Sequence, residues 1–411
     1  MQSGGTDSGF VAALDAIIVG GGLVGLPLAI ALAGQGLAVA VIDREDPAAA
    51  VAEAFDGRVS AIAHASRMAL QAIGVWQQVS AAQPILDIRV SDGSSPLFLH
   101  YDHREIGNEP FGHMVENRVM RRALQARQAA LPNLLLLAPA VLANLDRGPG
   151  HVVATLADGR RYRAPIAIAA DGRDSPLRQA AGIKSFGWGY GQAGIVCTVA
   201  HEYPHHGVAQ ERFLPAGPFA ILPMTGNRSS LVWTEREALA PVMLQLAPEA
   251  FLAEVERRFG DYLGRLEVVG PRWSYPLRLH IADQYVAHRL VLIGDAAHGI
   301  HPIAGQGLNL GLRDVAALAE VLIEASRLGL DLGDALVLER YQRWRRFDSL
   351  LLAGVTDALN RLFSNDVAPV RLARDLGLAA VHRLPSLKRL FMQHARGSMG
   401  ELPRLRSGQP L

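Results

Sequence analysis

Ala16-Ile17-Ile18-Val19-Gly20-Gly21-Gly22-Leu23-Val24-Gly25 is the stretch whose reading decides the fold. The four apolar residues before Gly20 read as a buried strand, and Leu23 to Ala33 reads as a helix, so the glycines fall at a strand-to-helix turn. Gly20 permits the tight turn, Gly22 lets a pyrophosphate approach the backbone, and Gly25 lets the helix pack closely on the strand. The helix N-terminus then faces the anion. A second apolar run, Leu37 to Ile42, ends at Asp43, 23 residues beyond Gly20, where an acid can accept hydrogen bonds from an adenosine ribose. This is the βαβ dinucleotide fingerprint. The apolar character of residues 11 to 42 does not make a membrane span, because glycines crowd its centre, Asp15 and Gln35 interrupt it, and Pro27 would sit inside the helix.

The 411 residues allow two or three compact units with a large buried core. Hydrophobic residues make up 50%, charged residues 19%, and the formal net charge is +1, so bulk charge points to neither nucleic acid nor an acidic substrate. The one cysteine, Cys197, excludes an internal disulfide. Its place in the apolar run Gly194 to Val199 makes it a buried structural thiol, which suits a reducing, cytoplasmic setting. The first dozen residues lack a basic n-region and read as a disordered tail.

Along the chain, Val59 to Ile73 carries apolar residues at helical spacing and stops at Gly74. Residues 86 to 115 read as short strands with turns at Asp92-Gly93 and Gly107-Asn108. Arg118 to Ala130 reads as a helix ended by Pro132, and Leu134 to Leu137 as a strand. Val152 to Leu156, the turn Asp158-Gly159 and Tyr162 to Ala170 read as a β-meander feeding Asp171-Gly172. From about Ser185 to Trp273 the texture is that of an antiparallel sheet: Ile195 to Ala200, Val208 to Leu214, Phe219 to Pro223 and Ser230 to Thr234, with a helix from Pro248 to Phe259 alongside. Leu290 to Ile293 returns the chain to a buried strand ending at Gly294-Asp295.

That return carries the most specific motif: Leu290-Val291-Leu292-Ile293-Gly294-Asp295-Ala296-Ala297-His298, His301-Pro302, and Gly305-Gln306-Gly307-Leu308-Asn309-Leu310-Gly311-Leu312-Arg313-Asp314. It resembles the single-component flavoprotein aromatic hydroxylases of the p-hydroxybenzoate hydroxylase superfamily. The resemblance is closest to the ubiquinone-biosynthesis hydroxylases, through Asp15 to Leu28, Glu116 to Leu124, Glu211 to Pro215, Gly217 to Pro223 and Thr356 to Asp366. It implies an α/β fold with a discontinuous, Rossmann-like FAD-binding domain (1–75, 104–184 and 276–345), an inserted antiparallel-sheet substrate domain (76–103 and 185–275) and a C-terminal helical segment (346–411).

The resemblance also implies the cofactor, FAD, and its contacts. Asp295, held at a strand end, is an acceptor for ribityl hydroxyls beside Gly294. The Gly305 to Gly307 turn offers backbone N–H groups and a helix dipole to the anionic side of a reduced flavin. Asp171 belongs to a second fingerprint, Arg58 and Arg118 resemble flavin-side arginines suited to phosphate, and Arg44, Val141 and Asn309 complete the implied set. Arg173 and Arg178 read as surface charges. His298 and His301 line the flavin pocket rather than hold a metal, and no metal is expected there or at His201, His205 and His206. The G-x-S-x-G elbow of an α/β-hydrolase is absent.

The implied reaction is hydroxylation of a polyprenylated phenol in ubiquinone biosynthesis by dioxygen, through a flavin 4a-hydroperoxide. The reductant is NADPH, NADH or a ferredoxin system, and no side chain is assignable as a general base from sequence. Two alternatives stay open: an isoprenoid-reducing flavin oxidoreductase, and a non-catalytic prenyl-lipid binding protein on a flavin fold. From Val367 to Leu411 eight Lys or Arg face two acids, interleaved with Leu384, Leu387, Leu390, Phe391 and Met392. This segment reads either as a peripheral contact with the inner face of a membrane, beside other ubiquinone-biosynthesis proteins, or as helices packed on the body with solvated basic faces.

Overall fold

A computed structural model describes residues 10, 12–51, 55–93, 98–301, 305–364, 384–398, 400 and 402–411. The chain opens with β1 (Ala16–Val19), α1 (Gly25–Ala33) and β2 (Val39–Ile42), then β3 (Val59–Ala63), α2 (His64–Ala72), β4 (Gln83–Ile85), β5 (Asp87–Asp92), β6 (Phe98–Asp102) and β7 (Gly112–Glu116). It continues through α3 (Asn117–Ala129), β8 (Leu134–Leu137), β9 (Leu142–Arg147), β10 (Val152–Leu156), β11 (Arg161–Ala164), β12 (Ala167–Ala169) and α4 (Pro176–Ala180). Next come β13 (Ser185–His201), β14 (Val208–Leu214), β15 (Gly217–Met224), β16 (Arg228–Arg236), α5 (Ala240–Gln245), α6 (Pro248–Phe259) and β17 (Leu266–Ala282). The last described elements are β18 (Val286–Ala287), β19 (Leu290–Leu292), β20 (His298–Gly299), α7 (Gln306–Arg327), α8 (Ala335–Phe363) and α9 (Pro385–Ala395).

Two large sheets position the site. The first runs β18-β19-β12-β1-β2-β8 and is parallel except at β18. Its inner strands are apolar throughout because both faces are covered, as parallel sheets require; Ala16, Ile17, Ile18 and all of β2 are buried. The second sheet runs β20-β17-β13-β16-β15-β14-β5-β6. One of its faces puts Ile195, Cys197, Val199, Phe219, Ile221, Leu231 and Trp233 against Phe251, Val255 and Phe259 of α6. The alternate residues Val196, Ala220, Leu222 and Val232 point the other way, into a cavity.

Several expectations are corrected. Val59 to Ala63 is a strand and not the start of a helix, because it pairs antiparallel with β7; the β-branched Val59 and Ile62 suit that pairing. Tyr162 to Ala170 is two strands broken at Pro165: β11 stays in a three-stranded sheet with β10 and β9, whereas β12 joins the parallel sheet beside β1. The second large sheet is not wholly antiparallel, since β14 pairs parallel with β5. The 17-residue β17 gave no strand pattern in the sequence reading, its run being broken by Gly270, Pro271 and Pro276. The N-terminal tail, apart from Phe10 and residues beyond 11, lies outside the described residues.

Candidate active site

The fingerprint glycines serve different physical ends. A Cβ on Gly20 would lie 2.2 Å from the Ala170 carbonyl oxygen, and one on Gly25 would lie 1.9 Å from the Gly20 carbonyl oxygen, so both are fixed by protein packing. Among the described residues nothing lies within 4 Å of the Cβ position of Gly22 or of Gly307. Bare backbone facing open space at two helix-opening turns leaves room for a ligand to approach the N–H groups closely. Gly305 caps α7 in the left-handed region, φ 63°. Gly311, which the sequence reading left unassigned, lets α7 approach the first turn: its Cβ would lie 2.7 Å from Val24 Cγ2.

The carboxylates are likewise distinct. Asp295 is exposed between buried Gly294 and Ala296 and has no hydrogen-bond or ion-pair partner among the described residues. It is free to receive hydroxyls. Asp43 instead accepts from the Gly21 N–H at 2.5 Å and the Glu45 N–H at 2.8 Å, which ties the second strand to the glycine turn and leaves lone pairs for a ribose. Arg44 and Val141 are exposed. Asp171 accepts from the Leu177 N–H at 3.3 Å, and burial raises its carboxyl above the usual range.

Arg178 is not a surface charge: it is buried, donates to the Ala296 carbonyl at 2.9 Å and contacts His280 Nε2 at 3.0 Å, bracing the segment after Asp295. His298 is buried and is not among the residues lining the large cavity. Its Nε2 lies 2.6 Å from Asp314, a fully buried carboxylate that also accepts from the Gly294 N–H and from Arg345 Nε. These neighbours hold the Asp314 carboxyl below its usual range despite its burial. Asn309 spends its side chain on the protein: it accepts from the Ala63 N–H and donates to the Ala61 and Gly305 carbonyls, fastening β3 to α7.

A cavity of about 500 Å³ extends from Gly57–Ala61 and the Gly305, Gly307 and Leu308 turn to the free face of the second sheet. Its lining is mainly apolar, with Met114, Val196, Pro218, Ala220, Leu222 and Val232. Few polar groups converge on it. Among the described residues neither ring nitrogen of His301 finds a hydrogen-bond partner, and burial pushes its pKa down to about 4, so the ring is neutral at physiological pH. The Ser230 hydroxyl is buried without a hydrogen-bond partner among the described residues. Arg58 lines the mouth, exposed, 3.5 Å from Asp56 and over the Trp273 ring. Arg118 lies outside this cavity: it donates to Glu116 at 2.7 Å, beside Arg228, in a smaller cavity of about 220 Å³ that shares Val59 and Met114 with the first.

The sequence reading assigned no role to Glu211, which also lines the large cavity. The available signal was its position: Ala209, Glu211 and Phe213 share one face of β14, and the two flanking residues are buried. Cys197 is buried, and burial pushes its thiol up to about 12. No group of three or more His, Cys, Asp and Glu that could hold a metal occurs among the described residues. None of the described helices is long and apolar enough to cross a membrane.

A parallel sheet with a glycine-lined turn at the end of β1, a free acid at the end of β19 and a cavity between two sheets define a flavoprotein. Residues 13–346 match the FAD binding domain family, and the chain belongs to it. It is 58% identical over 401 residues to the ubiquinone hydroxylase UbiL of Rhodospirillum rubrum, covering 97% of this chain and 93% of that one. It is 38% identical to the 3-demethoxyubiquinol 3-hydroxylase of Escherichia coli (92% and 97% covered) and 30% identical to the human mitochondrial ubiquinone biosynthesis monooxygenase COQ6 (93% and 92%). Among solved structures, p-nitrophenol 4-monooxygenase PnpA of Pseudomonas putida superposes with a TM-score of 0.80 at 20% identity, covering 95% of this chain and all of the other, a likeness of fold.

Proposed function

We propose that this protein is an FAD-dependent monooxygenase that hydroxylates the aromatic ring of a polyprenylated phenol on the route to ubiquinone. The observation that carries the reading is the cavity: it joins the open Gly305–Gly307 turn to an apolar sheet face large enough for an aromatic ring. The residues fit FAD. Gly22 and the start of α1 would take the pyrophosphate, Asp43 the adenosine ribose, Asp295 the ribityl hydroxyls, and the N–H groups at Gly305 and Gly307 the pyrimidine edge of the ring system. Bound there, FAD supplies the activation of dioxygen and the transfer of one oxygen atom.

The protein's part is positional and electrostatic. Val196, Pro218, Ala220, Leu222 and Val232 exclude water from the ring, and the dipole of the 22-residue α7 favours negative charge at its glycine-lined N-terminus. Asp314 holds the Gly294 turn from behind, so Asp295 is presented by a buried scaffold. The reductant is a nicotinamide cofactor or a ferredoxin system. Exposed Leu384, Arg389, Leu390 and Phe391 on and beside α9 offer a peripheral contact for an anionic membrane in which a polyprenylated substrate resides.

Incubation of the reduced holoprotein with a 2-prenylphenol under isotopically labelled dioxygen tests the reading. One labelled oxygen in the hydroxylated product is expected. Label entering from water, or a saturated prenyl chain without ring oxygen, refutes it.

A further inference from the structure

We propose that the carboxylate of Glu211 receives the substrate's phenolic hydroxyl, first as hydrogen-bond acceptor and then as acceptor of its proton. The inference rests on the large cavity being the seat of the aromatic substrate. Among the described residues lining that cavity, Glu211 is the one carboxylate. It stands on β14 opposite Ala220 of β15 and Val90 of β5. Around it are Ala209 and Phe213 on its own strand and Pro218, Ala220 and Leu222 on the next.

No hydrogen bond or ion pair reaches its carboxyl among the described residues. Glu211 is half-buried, and an acid drawn out of water among apolar side chains without a partner costs folding stability that no described residue offsets. Its function is then toward something that enters the cavity.

The other titratable groups nearby do not suit the task. Arg58 is a cation at the mouth, the buried His301 stays neutral and takes up a proton only near pH 4, and burial raises the Tyr275 and Tyr101 hydroxyls, Tyr101 lying in the adjoining apolar cluster with Ala209 and Phe213. Glu211 itself is pushed up to about 7, and burial is the whole cause. A carboxyl near 7 is far better matched to a phenol of pKa about 10 than an ordinary one near 4.3. In the step, the phenol O–H bond breaks and a carboxyl O–H bond forms. The bonding pair stays on the phenol oxygen and enriches the ring carbons ortho and para to it, where electrophilic oxygen attacks. The total charge is unchanged, and the proton returns to that oxygen when the hydroxylated ring regains aromaticity.

The test uses the oxidised full-length holoprotein without reductant, with perturbation of the flavin absorbance as the binding signal. A short-chain 2-prenylphenol is compared with its methyl ether, which keeps the ring and loses the donor. The native protein should prefer the phenol by about tenfold or more, the scale of a hydrogen bond to a charged group. That preference should grow as pH rises through about 7 and Glu211 ionises.

Glu211→Gln should keep its flavin, bring the two ligands within about twofold of each other, and flatten the pH dependence. Glu211→Asp should retain the pH dependence with weaker binding, and it supplies the answer if the glutamine variant fails to fold. Equal preference and equal pH dependence in the native protein and the variants overturns Glu211 as the acceptor while leaving the cavity as substrate site. A native holoprotein whose flavin responds to neither ligand overturns the cavity reading, and this inference with it.

Discussion

Three residues apart in one turn, Gly22 and Gly25 should fail in opposite ways when replaced. A Gly22→Val side chain projects into open space where the pyrophosphate is proposed to lie, so the variant should fold and lose most of its FAD; a flavin-to-protein absorbance ratio with circular dichroism reads both. Gly25→Ala drives a methyl group into the Gly20 carbonyl and should instead lower the yield of folded protein. A Gly22→Val variant with full flavin content would remove the cofactor assignment of the turn. Glu211 carries a stability prediction independent of substrate. Its carboxyl holds a proton up to about pH 7 when folded but only to about 4.5 when unfolded, so between these values the native state binds more protons and stability falls as pH rises. Glu211→Gln removes that loss. Its melting temperature should exceed the native one by more at pH 8 than at pH 5, and an equal difference at both would show that Glu211 titrates normally. The close packing at Gly20 and Gly25 was legible from residue order alone, whereas Glu211 was not: a single acid in a strand looks solvated until its face is known.

Helix α7 is the element through which the site is assembled. Its first turn offers Gly305 and Gly307, Asn309 fastens β3, Gly311 admits Val24, and Asp314 grips the Gly294 N–H, His298 and Arg345. Asp314→Asn leaves Arg345 buried beside a neutral amide and should cost about 3–5 kcal/mol, the range for breaking a buried pair. Chemical denaturation of the holoprotein measures it, and a loss under 1 kcal/mol would mean that water replaces the carboxylate. Asn309→Ala strips the side-chain acceptor from the buried Ala63 N–H, at about 1–3 kcal/mol. The shift of β3, whose residues line the cavity, should weaken FAD retention too. The motif from Gly305 to Asp314 was plain in the sequence. Its division into cavity-facing and protein-facing residues was not, because that depends on which helix face meets β3 and which meets the first turn.

Across the whole molecule, the basic C-terminal segment divides into residues held by the body and residues left free. Lys388 is buried against Glu105 at 2.6 Å, Arg396 donates to the Ile106 carbonyl, Arg404 approaches Glu320 and Glu324, and Arg406 is buried against the Gly397 carbonyl. Arg371, Arg374 and Arg383 lie outside the described residues. Binding to anionic vesicles should therefore fall when Arg389, Leu390 and Phe391 are replaced together by Gln, Ser and Ser, and salt should weaken it. Lys388→Gln should lower thermal stability instead. Vesicle binding unaffected by the triple change would exclude α9 as the contact. The sequence by itself determined the parallel sheet, the glycine turns and the strand pattern from 185 to 236, because each is written in local periodicity and in residues whose backbone freedom has one use. It also carried the membership of the flavoprotein hydroxylases. Only the tertiary structure decided that Val59–Ala63 is a strand, that Arg178 and His298 are buried braces, and that Glu211 lines the cavity without a partner among the described residues. Those outcomes follow from partners on other elements, β7 for the strand, the segment after Asp295 for Arg178, Asp314 of α7 for His298 and β15 for Glu211, whose pairing and burial no local pattern encodes.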